Sequence, residues 1–308
     1  MEVRQPGVKY SLNSSLFTDF AIKNRFIFIP PDTKITYDEL NAFGFPLGSV
    51  IVKVFSMPEN TLDANGNLIE IRLLIHRENG WATLPYKWNT QESDAVLNVT
   101  GETLIIPVQQ GDETLVSEYQ IPSPADCRTC HENNGFASPI GIKARHLNRD
   151  ILLNDTTVNQ LQYWASIGVL NDLPTDLSSI DTAPNWKDDS HTLQNRAKAY
   201  LDINCSHCHS DGGSGALSGL RLEYWRKSID YNHGVCNSSH GWRGGGFDIW
   251  PGQGEVSSIP VRMRHTDPKD RMPPVGRSLV DEDAAQLMSD WIDTLPYQDC
   301  ASNNSAEN

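Results

Sequence analysis

Four of the six cysteines in this chain form two Cys-x-x-Cys pairs, and a histidine follows each pair directly. The pairs are Cys127-Arg128-Thr129-Cys130-His131 and Cys205-Ser206-His207-Cys208-His209. A backbone carrying this pattern must hold two thiols about one turn apart with an imidazole beside them, and must do so twice. Covalent haem attachment requires that arrangement. Each thiol forms a thioether with a haem vinyl group, and the adjacent imidazole is carried under the iron as proximal ligand. The expectation is two covalently attached haem c groups, held by Cys127 and Cys130 and by Cys205 and Cys208, with His131 and His209 as iron ligands. A four-thiolate structural zinc site is the competing use of the same cysteines. Zinc has no need of a histidine after each pair, and the chain has only 9 His among 308 residues. A thioredoxin-like dithiol wants a βαβ setting, which neither pair has.

The opposite faces of the irons are less constrained. For the second haem, Met272 in Arg271-Met272-Pro273-Pro274 competes with Met263. The prolines hold the Met272 loop extended, which fixes a sulfur at a haem face, and His/Met ligation is that of electron-carrying cytochromes. Met263 lies between two arginines without that constraint. For the first haem, no methionine occurs between His131 and Val261. His146 is the nearest histidine in sequence and the expected ligand. His76, His191, Lys143, Met57 and an open iron are the alternatives. Sulfur favours ferrous iron, so the site at Cys127–His131 is expected to have the lower potential.

The formal net charge of −14 argues against a nucleic-acid partner, whose phosphates demand a basic face. No apolar run is long enough to span a membrane. Met1-Glu2-Val3-Arg4-Gln5 has no apolar signal core. Haem attachment to this motif normally happens outside the bacterial cytoplasm, so a removed export signal or lipoprotein leader is expected, with membrane anchoring through that leader left open. The expected location is the periplasm or outer surface of a Gram-negative-type bacterium. In an oxidising compartment the two remaining cysteines, Cys236 and Cys300, are expected to pair.

Residues 1–122 read as β structure. Arg25–Ile29, Ser49–Phe55, Trp81–Trp88, Thr103–Val108 and Leu115–Ile121 are short, turn-broken strand patterns, and Asn65-Gly66 carries a turn signal. Ile69, Ile71, Leu73 and Ile75 alternate with Glu70, Arg72 and His76. Lys53 and Arg72 are able to reach a haem propionate, but solvated charges are the commoner reading. Val158, Leu161, Trp164 and Ala165 form a helix stripe stopped by Gly168, and residues 171–192 read as a linker. Leu193, Ala197, Tyr200 and Leu201 define a helix running into Cys205. Ala284, Met288, Trp291 and Leu295 define another, in which Met288 is a packing residue. The glycine-rich stretch Gly241–Gly246 lacks the features of a phosphate loop and reads as a surface loop.

The fold class expected is α+β and multidomain. An N-terminal antiparallel β sandwich or barrel-like domain (1–122) precedes a first haem-binding segment (123–180) and a mainly helical cytochrome c-like domain with the second haem (181–308).

Several stretches resemble a family of bacterial dihaem c-type cytochromes with an N-terminal β-rich domain and a C-terminal cytochrome c domain. They are Arg196–Asn204 before the second motif, Pro251-Gly252, Ser257-Ser258-Ile259, Arg262, Arg271–Pro274 and Ser289–Ile292. Upstream, Leu16–Ala21, Ile140–Arg145 and Leu147–Arg149 carry the same resemblance. The resemblance implies haem attachment, Met272 as a ligand, and electron transfer with no assigned substrate. Electron transfer between periplasmic or cell-surface redox partners is therefore the expected function, as a carrier rather than an enzyme. A dihaem peroxidase-like enzyme with an open first haem is the alternative, since such chemistry needs a vacant iron position and a polar group to move protons. A third reading makes the β region a binding module for a surface or partner.

Overall fold

The computed structural model describes residues 6–58 and 67–303. The Asn65-Gly66 turn signal and the first five residues lie outside the described residues. The chain is mixed α+β. Strands β1 (Val8–Tyr10), β2 (Ile22–Phe28), β3 (Ile35–Thr36), β4 (Val50–Ser56), β5 (Leu68–Arg77), β6 (Gly80–Trp88) and β7 (Ala95–Leu97) fall where the β-branched and aromatic runs do. Six of them form one antiparallel sheet in the order β1-β2-β4-β5-β6-β7. β3 pairs instead, in parallel, with Leu170–Asn171.

β8 (Glu102–Gln110) and β9 (Glu113–Ile121) form a separate hairpin. The expected sandwich or barrel is thus corrected to an open sheet with a hairpin laid against it. Val108, Tyr119 and Ile121 of the hairpin pack on Phe55, Met57 and Ile69 through side chains, without extending the ladder.

The segment after the sheet is not a domain apart. Tyr10, Ile27, Ile51 and Leu74 of the sheet share one core with Leu147, Leu161, Trp164, Ile180 and Ile203. The expected helix near 160 is shorter than its stripe. Thr156–Asn159 pairs as a strand with Asp150–Leu153, and the helix spans only Gln160–Ser166, capped by Asn159. Residues 171–192 are likewise no free linker. Ser14 donates to the Pro184 carbonyl at 2.9 Å and accepts from the Trp186 amide at 3.1 Å, and Trp186 enters the C-terminal core.

Two long helices organise that second core, Leu193–Asn204 and Glu282–Asp293. Ala197, Tyr200 and Leu201 of the first meet Ala284, Met288 and Trp291 of the second. The apolar stripes read from the sequence are therefore the buried faces, and Met288 is a core residue. Leu295 lies beyond the helix end but still packs against this core.

Cys236 and Cys300 are joined, with Cα atoms 5.0 Å apart and a sequence separation of 64. Closing a loop of that length restricts the unfolded chain by about 4 kcal/mol. Replacing both cysteines with serine is expected to lower the unfolding free energy by roughly 2–5 kcal/mol in urea titrations. A loss below ~1 kcal/mol would mean that the bridge does not constrain the unfolded state.

Candidate functional site

The first Cys-x-x-Cys-His lies on the helix Pro124–His131, which we label α1. Its start is fixed by sequence chemistry: Ser123 and Asp126 cap each other reciprocally, and Pro124 opens the first turn. The second motif follows the helix Leu193–Asn204 as an added turn, in which the Cys208 and His209 amides donate to the Cys205 carbonyl at 3.0 and 2.9 Å. Both motifs therefore present their thiols and imidazole from one helical turn, as the spacing implies.

Each motif borders a cavity. Cys127, Cys130 and His131 line one of about 610 Å³, beneath the sheet. Cys205 and His209 line another of about 360 Å³, with Leu201, Leu220 and Ile259 as apolar walls and Met263 and Met272 also present. Pro273 lines both, so the Met272 loop forms part of the partition between them.

The hydrogen bonds fix the state of each imidazole. His131 Nδ1–H donates to the Ser138 carbonyl at 2.8 Å. A carbonyl only accepts, so Nδ1 carries the proton and Nε2 keeps its lone pair. The Ser218 hydroxyl donates to the Gly215 carbonyl at 2.7 Å, so its oxygen accepts from His209 Nδ1–H at 2.9 Å. Neither Nε2 has a hydrogen-bond partner among the described residues. Burial holds both rings neutral, pushing His131 well below the usual histidine range and His209 down to about 4. A neutral imidazole whose tautomer is set by an acceptor on its other nitrogen is the usual state of a metal-ligating histidine. The donor set of each motif, two thiols and a neutral imidazole with a free Nε2, thus suits a haem group.

The two motifs touch. The Sγ atoms of Cys130 and Cys208 and a ring nitrogen of His207 all lie within 4.8 Å of one another. The Cys130 thiol hydrogen-bonds Cys208, which raises Cys130 and lowers Cys208 from ordinary thiol values. Ser214 donates to the Thr129 carbonyl at 2.7 Å, and the Asn134 amide donates to the Gly212 carbonyl at 2.8 Å. A Cβ at Gly213 would fall 2.2 Å from the Cys208 carbonyl oxygen, so this junction admits only glycine there. Cys127 and Cys205 lie outside the cluster, and Cys205 is pushed to about 12 by burial. The four sulfurs therefore do not converge as a four-thiolate zinc site would require.

Met272 is held by its backbone. Its amide donates to the Arg262 carbonyl at 2.9 Å, and Arg277 donates to the Met272 and Arg262 carbonyls at 2.9 and 3.2 Å. Asp19 anchors the next residues, accepting from the Ser278 and Leu279 amides at 2.8 and 2.9 Å. Met263 is packed in the core with Met288 and Trp291.

His146 is not at the first cavity, and the expectation for it is corrected. Its Nε2 lies 2.5 Å from Asp202 Oδ2, in a buried group where Arg145 also donates to Asp202 at 2.7 and 2.9 Å. That bond takes the nitrogen an iron would need, and the residue lines neither cavity. His76 stacks on Trp81, His191 pairs on the surface with Asp188, and Met57 is in the core beneath the hairpin. Lys143 lines a third cavity of about 340 Å³, beside His131 and His207.

Lys53 and Arg72, read from sequence as solvated charges, line the first cavity together with Lys23 and Arg25. Alternation along β5 was visible in the sequence, but not which of its two faces turns inward. Ser138, Ser218 and Arg277 carry no motif that singles them out.

No family model matches the chain, and no curated protein and no solved structure was found to be similar to it. No helix among the described residues is long and apolar enough to cross a membrane.

Proposed function

We propose that the chain is a dihaem c-type cytochrome that passes electrons between redox partners outside the cytoplasm. The observation that carries this reading is the pair of imidazoles, His131 and His209. Each follows a Cys-x-x-Cys turn, each is half-buried and neutral, and each has Nδ1–H tied to an acceptor with Nε2 left free. Bound haem iron supplies a reversible one-electron couple. The chain's residues do the rest. The four motif cysteines anchor, the two histidines ligate, Met272 ligates the second iron, and the apolar walls exclude water. The disulfide accords with an oxidising compartment. The resemblance to bacterial dihaem cytochromes supports the same function.

Contact between Cys130 and Cys208 adds an expectation. With both thiols in thioether linkage, the two prosthetic groups begin at neighbouring atoms, and the charge state of one affects the other. A redox titration should resolve two one-electron steps, and the ferric EPR signals should be broadened by each other. Two narrow, independent signals would contradict the juxtaposition, and a single step would contradict the dihaem reading. The order of the two potentials rests now on Met272 alone, because His146 is engaged elsewhere.

One observation favours a peroxidase-like second reading: among the described residues, the first cavity is lined by no methionine and by no histidine other than His131 and His207. A high-spin first site that binds cyanide in the resting protein would select that reading, and two low-spin sites would reject it.

A further inference from the structure

The inner face of the sheet is split in two. Ile27, Ile51 and Leu74 stand side by side across β2, β4 and β5 and enter the main core. Two residues along each strand the character changes, because Arg25 pairs with Lys53 and Lys53 with Arg72. One step further, Lys23, Phe55 and Glu70 form the next row. Four cations and one ring of this patch therefore face the cavity that holds His131, with Glu70 buried beside them.

Directly opposed like charges on a sheet repel, and withdrawing them from water adds to the cost. Only one of the four has an acid partner. Arg72 donates to Glu70 at 2.9 and 2.5 Å, and Tyr119 donates to the same carboxylate at 2.7 Å. Lys23 donates only to the Leu16 and Ala21 carbonyls, and Arg25 only to the Lys23 carbonyl. Lys53 has no hydrogen-bond partner among the described residues. The acids at the cavity rim are already used: Glu102 pairs with Lys87, and Asp126 caps α1. Arg271, on the facing loop, adds a further cation. The patch is thus several charges short of neutral.

We propose that Lys23, Arg25, Lys53 and Arg72 form a binding site for a carboxylate or other small oxyanion in the first cavity. The inference rests on the proposed function for one of its two sources, the propionates of a haem at Cys127–His131. The other source is a diffusible oxyanion. Consistent with a missing counter-charge, burial and the neighbouring Arg25 and Arg72 pull Lys53 down to about 7, and burial takes Lys23 well below the usual lysine range.

The test uses the full-length matured protein and its Lys53→Met and Lys53→Arg variants. Haem content is read by intact mass, potentials by redox titration, and anion binding from the unfolding midpoint against acetate or phosphate at constant ionic strength. With propionates in the site, acetate and phosphate leave the wild type unchanged. Lys53→Met then keeps both haems but lowers the first-site potential, and Lys53→Arg restores it. With a diffusible oxyanion, the wild type is stabilised saturably, the apparent Kd rises tenfold or more in Lys53→Met, and Lys53→Arg recovers it. A Lys53→Met protein equal to wild type in both potential and anion response overturns the proposal. So does one whose first site turns from low to high spin, since Lys53 would then be an iron ligand. If the mass shows no haem, the function proposed above fails while the anion titration still decides this site: saturable binding sustains it, and no binding ends it.

Discussion

Met272→Ala is expected to abolish the sulfur-to-iron charge-transfer band at the red edge of the ferric spectrum and to lower the higher midpoint potential. The physical reason is that thioether sulfur is a weak, soft donor that favours ferrous iron, so its loss stabilises the ferric state. Axial-ligand identity spans about 0.8 V across haem proteins, and a loss on the order of 0.1 V is expected here. The loop makes the change clean. Arg277 and Arg262 hold residue 272 through backbone atoms, which alanine retains. Met263 borders the same cavity but belongs to the core with Met288 and Trp291. Met263→Ala should therefore cost about 2–5 kcal/mol of stability while leaving the band in place. If the band survives in Met272→Ala and disappears in Met263→Ala, the ligand is Met263.

The largest stability effect is expected at Asp202. Its carboxylate takes two bonds from Arg145, one from His146, one from the Tyr224 amide at 3.1 Å and one from Ser206 at 3.1 Å, all out of water. Removing it leaves the Arg145 guanidinium, only 2% exposed, without its counter-charge. Breaking a buried pair from one side costs about 3–5 kcal/mol, and Asp202→Ala is expected to do so in urea titrations. The effect carries a pH signature. Burial pushes Asp202 up, but Arg145 and His146 together outweigh it and hold the carboxyl well below its ordinary value. A depressed folded value means that the unfolded chain binds the proton more readily, so the stabilisation is complete above the unfolded value of about 4. It is then lost as pH falls through the folded one. The part of the gap between wild type and Asp202→Ala that comes from the carboxylate should shrink as pH falls below about 4. A gap that fails to shrink below about pH 4, or one under ~1 kcal/mol at pH 7, would contradict this account of the cluster.

Asp202 also shows where sequence reasoning stopped. It lies three residues before Cys205 on a helix whose apolar stripe was plain, and nothing marks it as the partner of a histidine 56 positions upstream. Proximity to His131 in sequence is what makes His146 the expected ligand. The intervening chain carries it instead into the core with Leu147 and Ala144, while His131 faces the cavity. The two motifs, the helices that feed the second motif and pack on it, and the disulfide partners were legible because each depends on local spacing or on simple elimination. The cation patch was not. Arg25, Lys53 and Arg72 become neighbours only through the register of three strands, and alternation along one strand does not say which face turns inward. The continuity of 123–180 with the sheet was hidden for the same reason, since a shared core is a matter of long-range contact.

The Cys130–Cys208 contact bears most on function. It places the two Cys-x-x-Cys-His motifs against one another, which under the proposed function suits a chain that passes electrons internally.

The most direct test of the account is the intact mass of the full chain matured with a cytochrome c assembly system. The expected mass exceeds the polypeptide by two haems, and by one haem when Cys205 and Cys208 are both changed to serine. A mass that shows zinc, or no covalent addition at all, would contradict it.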